Sequence, residues 1–390
     1  MQFKSIEQGN LNNQVVFVRS DMNVPIEAGQ ITDDTRITAS LATIKYILSQ
    51  GGKVVLATHL GRPIEGEYDE SLSVAPIAKA IAAKLGMNVP LQLNLDQMPD
   101  FSQSKIVMLE NVRMNKGEKA NDKTLGQKYA KLCDVFVYDA FATAHRKEAS
   151  TNAISEFTQN AYAGILMAQE LNALDKISQN PKHPIVAIVG GSKVSTKLKI
   201  LENLITQVDC LIVGGGILNT FLVASGYDVG ASLYEKDLVE SAQTILNLAK
   251  QKNVQIPLPS DVVVATKFAK DATATTKAID LVTADEMILD VGASFMSKLD
   301  KIITDAKTII WNGPLGVFEF DQFANGTKLL ANAIAQSQAF SLAGGGDTIA
   351  AINKFGLYDQ ISYVSTAGGA LLEFLEGAQL PAIEMLKNYA

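Results

Sequence analysis

Short apolar runs rich in β-branched residues recur along this 390-residue chain, and most are followed by a stretch with helical spacing. VVFV (15–18), KVVLAT (53–58), KIVML (105–109) and VFVYDA (135–140) open the pattern. PIVAIVGG, CLIVGGG, DVVVAT, MILDVG, TIIWNG, FSLAGGG and ISYVSTAGG continue it. Runs this apolar leave no face for water, so they read as strands buried on both sides. Between them, TRITASLATIKYILSQG places Ile37, Leu41, Ile44 and Leu48 on one helical face and stops at Gly51. SVAPIAKAIAAKLG and TLGQKYAKL are further helices. Strands alternating with helices dictate an α/β fold of parallel sheets covered on both faces. The length points to more than one domain. The helical stretch GILMAQELNALDKI (164–177), followed by the turn-rich QNPKHP, separates the halves. The expectation is two doubly wound, Rossmann-like domains, 1–168 and 169–370, joined by a helical hinge.

The chain carries 34 basic and 41 acidic residues, a net charge of −7. No global basic field is available for nucleic acid or an anionic membrane, so any anion site must be a local cluster. Cys133 and Cys210 lie beside apolar strand runs without metal-ligand spacing and read as buried thiols. MQFKSIEQGN lacks the apolar core of a secretory signal, and no apolar run reaches the ~18 residues of a membrane span. No stripe of apolar residues marks an oligomer face. The expectation is a soluble, cytoplasmic monomer.

The arginines are segregated. All five, Arg19, Arg36, Arg62, Arg113 and Arg146, precede the hinge, as do His59 and His145, two of the three histidines. Arg19 follows VVFV, His59 and Arg62 follow KVVLA, Arg113 follows KIVML, and His145-Arg146 follows VFVYDA. In a parallel sheet the strand carboxyl ends open onto one crevice, where ligands bind. Guanidinium groups grip carboxylate and phosphate bidentately, as lysine cannot. Arginine and histidine converging from four strand ends predict a pocket for a small, highly charged anion. Asp21 and Asn23, in RSDMNVP, add an acceptor and an amide for a hydroxyl. His183, alone beside Pro184, reads as structural.

The second half has no arginine, and its strands end in glycine: Gly190-Gly191, Gly214-Gly215-Gly216, Gly313, Gly344-Gly345-Gly346 and Gly368-Gly369. Glycine lets the backbone approach a ligand, and a helix N-terminus behind it favours phosphate. Neither G-x-G-x-x-G nor G-x-x-x-x-G-K-[ST] occurs, which disfavours a dinucleotide or Walker-type site. GGSKVSTKL offers Lys193 and Lys197, read here as one helical turn apart on one face. GGGDT adds Asp347 for Mg²⁺ and Thr348 for a phosphate oxygen.

In VRSDMNVP, DDTRI, THLGRP, ENVR, DAFATAHR, GGSKVSTK, GGGILNTFL, WNGPLGVFE, GGGDT and STAGGALLEFLEG, in that order, the chain resembles the phosphoglycerate kinases over nearly its whole length. The resemblance implies a phosphotransferase with a carboxyl group as acceptor. Such an enzyme moves a phosphoryl group reversibly from 1,3-bisphosphoglycerate to ADP, giving 3-phosphoglycerate and ATP in glycolysis and gluconeogenesis. It implies that Asp21, Met22, Asn23, Arg36, His59, Leu60, Gly61, Arg62, Arg113 and Arg146 bind the phosphoglycerate, Arg36 also meeting the transferring phosphoryl group. Lys193 and Lys197 would contact nucleotide and transferring phosphates. Gly345, Gly346, Asp347 and Thr348 would hold the phosphates and Mg²⁺ of MgADP or MgATP, and Glu319 the ribose hydroxyls. Gly214, Gly215 and Gly292 would border adenine, while Gly368 and Gly369 would offer N–H groups to the transferring phosphoryl. The segment 371–390 would pack back on the first domain. Ala367 stands where the family has a third glycine, Leu371 at a position that is often Ser, and Tyr138 where Asn is common.

Neither the phosphate oxygen that attacks nor the carboxylate that leaves needs a proton, so positioning and charge carry such a reaction. With the two half-sites on different domains, the reaction would require domain closure. An NAD(P)-dependent Rossmann dehydrogenase is the main rival and lacks its fingerprint here. A non-enzymatic two-lobed anion-binding protein would explain the arginines but not Lys193, Lys197, Asp347 and Thr348.

Overall fold

The computed structural model describes residues 1–179 and 181–390. They divide into two compact units, Met1–Asn172 with Gln379–Ala390, and Ala173–Ala378. In the first, the apolar runs form β1 (Val15–Ser20), β4 (Lys53–Ala57), β6 (Ile106–Leu109) and β7 (Val135–Asp139). A small hairpin, β2 (Ile26–Glu27) and β3 (Gln30–Ile31), turns through Ala28-Gly29 with φ of 49° and 77°, the left-handed pair that a two-residue hairpin requires. Two short strands, β5 (Leu91–Gln92) and β8 (Ala161–Ala163), complete a six-stranded sheet of order β5-β6-β4-β1-β7-β8, with every neighbour parallel. The connections are α1 (Thr35–Ser49), α2 (Ala75–Leu85) and α3 (Lys123–Lys131). α1 buries Ile37, Leu41, Ile44 and Ile47. α4 (Ile165–Ser178) contains the division between the units.

The second unit contains β9 (Ile185–Gly190), α5 (Leu198–Leu204), β10 (Cys210–Gly214), α6 (Gly215–Ala224) and α7 (Val239–Lys252). Then come β11 (Asp261–Ala265), β12 (Thr275–Ala278), β13 (Met287–Val291), α8 (Ala293–Asp305), β14 (Thr308–Asn312) and α9 (Asn325–Gln336). β15 (Phe340–Gly344), α10 (Gly346–Phe355), β16 (Tyr363–Ser365) and α11 (Gly369–Leu375) close it. The last helix, α12 (Pro381–Lys387), belongs to the first unit, where Ala382 N donates to Ala144 O at 3.1 Å. The main sheet is parallel, in the order β10-β9-β14-β15-β16.

Two expected parallel strands are not in that sheet. DVVVAT and MILDVG form β11 and β13 of a separate antiparallel sheet, β12-β11-β13. A parallel pair needs a crossover, usually helical, and the segment between β11 and β13 contains β12 and no α-helix. Both thiols are reduced; Cys210 is buried and Cys133 half-buried, and burial pushes each up to about 12. Among the described residues no helix is long and apolar enough to cross a membrane.

In each parallel sheet the chain reverses its direction of growth beside the first strand, at β1/β7 in one unit and β9/β14 in the other. Such switch points open crevices at the strand carboxyl ends. At β9/β14 the crevice is narrow: a Cβ on Gly190 would lie 1.9 Å from Pro314 O. Gly190→Ala is expected to destabilise the protein by about 2 kcal/mol or more through overpacking. A urea midpoint equal to that of the wild type would contradict the contact.

Candidate active site

The loops leaving β1, β4, β6 and β7 are laced together by side chains. Beyond β1, Asn23 Oδ1 accepts from Gly61 N at 3.1 Å, and Arg36, in the first turn of α1, pairs with Asp21 at 2.7 Å. Beyond β4, the Leu60 carbonyl accepts from Asn111 Nδ2 at 2.7 Å and the Gly61 carbonyl from Arg113 Nη1 at 3.1 Å. Arg113 is almost wholly buried and reaches Glu148 at 3.4 Å, while half-exposed Arg146 lies 3.7 Å from the same oxygen. Met22 and Leu60 turn their side chains into the core, so they can offer a ligand only backbone. Arg62 is exposed.

Arg19 departs from the expectation for a strand-end arginine. It is fully buried, with its donors on Ser150 Oγ (2.9 Å), Ser20 O (2.6 Å) and His59 Nδ1 (3.3 Å). Three further guanidinium groups, those of Arg36, Arg113 and Arg146, lie close enough to His59 to act on its charge. Burial, then the charges of Arg19, Arg113, Arg146 and Arg36, hold the imidazole well below its usual 6.5, so it is neutral near pH 7. Burial also lowers Arg113 against the attraction of Glu148. Among the described residues, four guanidiniums with only the carboxylates of Asp21 and Glu148 paired to them make a locally basic cluster. Arg113 Nε is buried without a hydrogen-bond partner, as is Glu148 Oε2.

In the second unit, Lys197 fills the switch point. Its ammonium donates to Gly190 O (2.6 Å), Asn312 O (3.0 Å) and Asn312 Oδ1 (2.6 Å), and Asn312 Nδ2 donates to Gly344 O at 2.7 Å. Burial lowers the lysine to about 8, although Asp347 pulls the other way. Lys193 and Lys197 do not share a helical face: α5 begins at Leu198, and 191–197 is loop and turn, with Lys193 exposed. The three acceptors draw Lys197 inward, and the helix starts only after it. Gly190-Gly191 and Gly313 likewise lead into loops, whereas Gly214, Gly292, Gly345 and Gly368 cap helices. Gly345 and Gly368, with φ of 96° and 56°, adopt a conformation that favours glycine. Gly368 and Gly369 are exposed and open; Ala367 is buried with negative φ, so its methyl is accommodated.

Beside the switch point lies a cleft of about 840 Å³ lined by Gly215, Leu218, Phe268, Leu289, Val317 and Glu319, with Asp347 also contributing. Thr348 Oγ1 accepts from Gly313 N at 2.7 Å. Asp347 and Gly346 are exposed in the first turn of α10. Gly292 does not line this cleft, and a Cβ there would meet Asp261 Oδ2 at 2.2 Å. Sequence reading missed Asn219 and Asp290, which line the cleft with a buried oxygen lacking a hydrogen-bond partner. The signal for Asn219 is a polar residue inside the otherwise apolar GGGILNTFL.

A family model described as phosphoglycerate kinase matches residues 6–378. The chain belongs to the phosphoglycerate kinase family. It is 54% identical over 392 residues to the phosphoglycerate kinase of Francisella tularensis subsp. novicida (strain U112), covering 100% of both chains. The protein of that name from F. tularensis subsp. tularensis (strain WY96-3418) is 55% identical with the same coverage. Among solved structures, phosphoglycerate kinase from Coxiella burnetii superposes with a TM-score of 0.97 at 49% identity, covering 100% of both chains. The enzyme from Pyrococcus horikoshii OT3 gives 0.78 at 30% identity, with 98% of each chain covered. The activity is that of a phosphoglycerate kinase, a phosphotransferase with a carboxyl acceptor, and the dehydrogenase reading is set aside.

Arg113 and Glu148 form a buried pair. Arg113→Met leaves Glu148 with only half-exposed Arg146 and is expected to cost about 3 kcal/mol. Arg113→Met/Glu148→Gln should recover much of that loss. A double-mutant cycle by urea denaturation with no coupling would contradict it.

Proposed function

We propose that the first unit binds 3-phosphoglycerate or 1,3-bisphosphoglycerate and the second binds ADP or ATP. In this reading Asp21, Asn23, Arg36, His59, Arg62, Arg113 and Arg146 hold the sugar acid. Met22, Leu60 and Gly61 contribute backbone. The single observation that supports it most is the gathering of four guanidiniums around a neutral His59. A doubly charged phosphate with a carboxylate is the kind of ligand that offsets such a field.

Lys193, Lys197, Gly345, Gly346 and Thr348 would hold the nucleotide phosphates, Glu319 the ribose, and Gly214 and Gly215 the adenine side. Gly214, like Gly292, does not itself line the cleft; it caps α6 and leads into Gly215, whereas Gly292 is retained only as the cap of α8. Mg²⁺ arriving with the nucleotide needs few protein ligands, because phosphates and water fill its other positions. Asp347, a solvent-facing carboxylate at the cleft, fits that demand. Bound there, the cation would offset phosphate charge.

The chemistry asks for charge and alignment, not a base. The β-phosphate oxygen of ADP is already ionised, and the carboxylate released from the acyl phosphate is stable without a proton. His59, kept neutral, is accordingly a hydrogen-bonding group. Arg36, Lys193, Lys197 and the N–H groups of Gly368 and Gly369 would stabilise the transferring oxygens. We read the chain further as a cytoplasmic monomer that engages neither nucleic acid nor membrane, a reading that its net charge of −7 supports.

In a coupled assay with ATP and 3-phosphoglycerate, Arg36→Ala should lower kcat by at least about 10³ while leaving ADP binding intact. Retained turnover would remove Arg36 from the reaction. Lys197 is charged below about 8 and loses its proton above it. So kcat/KM for nucleotide should fall as pH rises through that value, and Lys197→Arg should abolish the fall. A flat alkaline limb in the wild type would contradict the role given to Lys197.

A further inference from the structure

We infer that Glu118 and Ser150 are positioning residues of the first site, acting through Arg19 to fix which ring nitrogen of His59 carries the proton. The inference rests on the reading that this unit binds phosphoglycerate.

A guanidinium has donors only. Arg19 Nη2 stands 3.3 Å from His59 Nδ1, so Nδ1 is the acceptor and a neutral imidazole must hold its proton on Nε2. No other hydrogen bond to this ring occurs among the described residues, which leaves Nε2–H for a ligand. That tautomer gives an anionic oxygen a directed donor without adding charge to a site already crowded with guanidiniums. The opposite tautomer would present a lone pair to the same oxygen.

The orientation of Arg19 is itself imposed. Its Nη1 donates to Ser20 O at 2.6 Å and its Nε to Ser150 Oγ at 2.9 Å. Ser150 can accept that bond because its own hydroxyl proton goes to Glu118. The Glu118 carboxylate also takes the Ser150 N–H, 3.2 Å from each oxygen, and the Tyr129 hydroxyl at 3.2 Å. Asn115 Nδ2 donates to Tyr129 Oη at 3.2 Å and closes the chain. Glu118, Ser150, Tyr129 and Arg19 are all fully buried. Burial raises Glu118 to about 7. A buried carboxyl group with every bond directed at one serine and one tyrosine is an anchor, and what it anchors is the guanidinium behind His59.

The test is long-range ¹H–¹⁵N imidazole spectroscopy of the full chain, whose three histidines keep the spectrum simple. His59 is assigned by the signals lost in His59→Gln. The wild type should show one neutral Nε2–H tautomer across roughly pH 6–8. Ser150→Ala should populate the Nδ1–H tautomer. It should also raise KM for 3-phosphoglycerate about tenfold, as loss of a supporting partner does elsewhere. KM for ATP should stay within about twofold, since only binding in this unit is changed. Glu118→Gln keeps an acceptor for Ser150 and should retain the wild-type tautomer, whereas Glu118→Ala should lose it. Nδ1–H or mixed signals in the wild type overturn the relay, whether or not a variant folds. So does a folded Ser150→Ala in which either the tautomer or the phosphoglycerate KM is unchanged. The spectrum needs no ligand, so its failure leaves the phosphoglycerate reading standing. Calorimetry showing no 3-phosphoglycerate binding to the wild type would instead end that reading and leave the tautomer untouched.

Discussion

Parallel pairing sends the carboxyl end of every strand out of the same edge of a sheet, and this constraint organises both halves of the chain. In the first unit β1, β4, β6 and β7 all finish on that edge, so residues scattered between 19 and 148 become neighbours. In the second, β9 and β14 finish side by side around Lys197. Neither cluster could be made by an antiparallel sheet, whose strand ends alternate between two edges.

The two units answer the demand for positive charge differently. The first uses guanidinium groups, which stay charged when buried and hold fixed forks of donors. Arg113 shows the cost: burial works against its charge, and Glu148 is buried alongside to offset it. The second unit uses backbone, helix ends and lysine. Its glycines bring main chain against main chain at Gly190, Gly313 and Pro314. Lys197 is solvated by carbonyl oxygens, so a phosphate competes there with neutral dipoles rather than with a carboxylate.

Much of this was legible in the sequence because it is local. Strand runs, their order and the arginines behind them are read within a few residues of one another. What stayed hidden depends on distant partners. The spacing of Lys197 from Lys193 suits a helix, yet its position is set by Asn312, 115 residues away. By sequence Arg19 groups with the pocket arginines, but Ser150, 131 residues on, turns it into a support. Glu148 and Glu118 carry no signal beyond being acidic near basic residues. The antiparallel placement of β11 and β13 could have been found from the missing crossover helix between them.

The C-terminal helix has a consequence for how the molecule is made. Ala382 N bonds Ala144 O, next to the loop that carries Arg146, and Tyr389 bonds the Ser155 and Thr158 carbonyls. Residues 173–378 are therefore translated in full before the chain that completes the first unit leaves the ribosome. The first unit waits for residues 379–390 before its packing is complete. Growth from the N-terminus thus finishes the later-encoded body first.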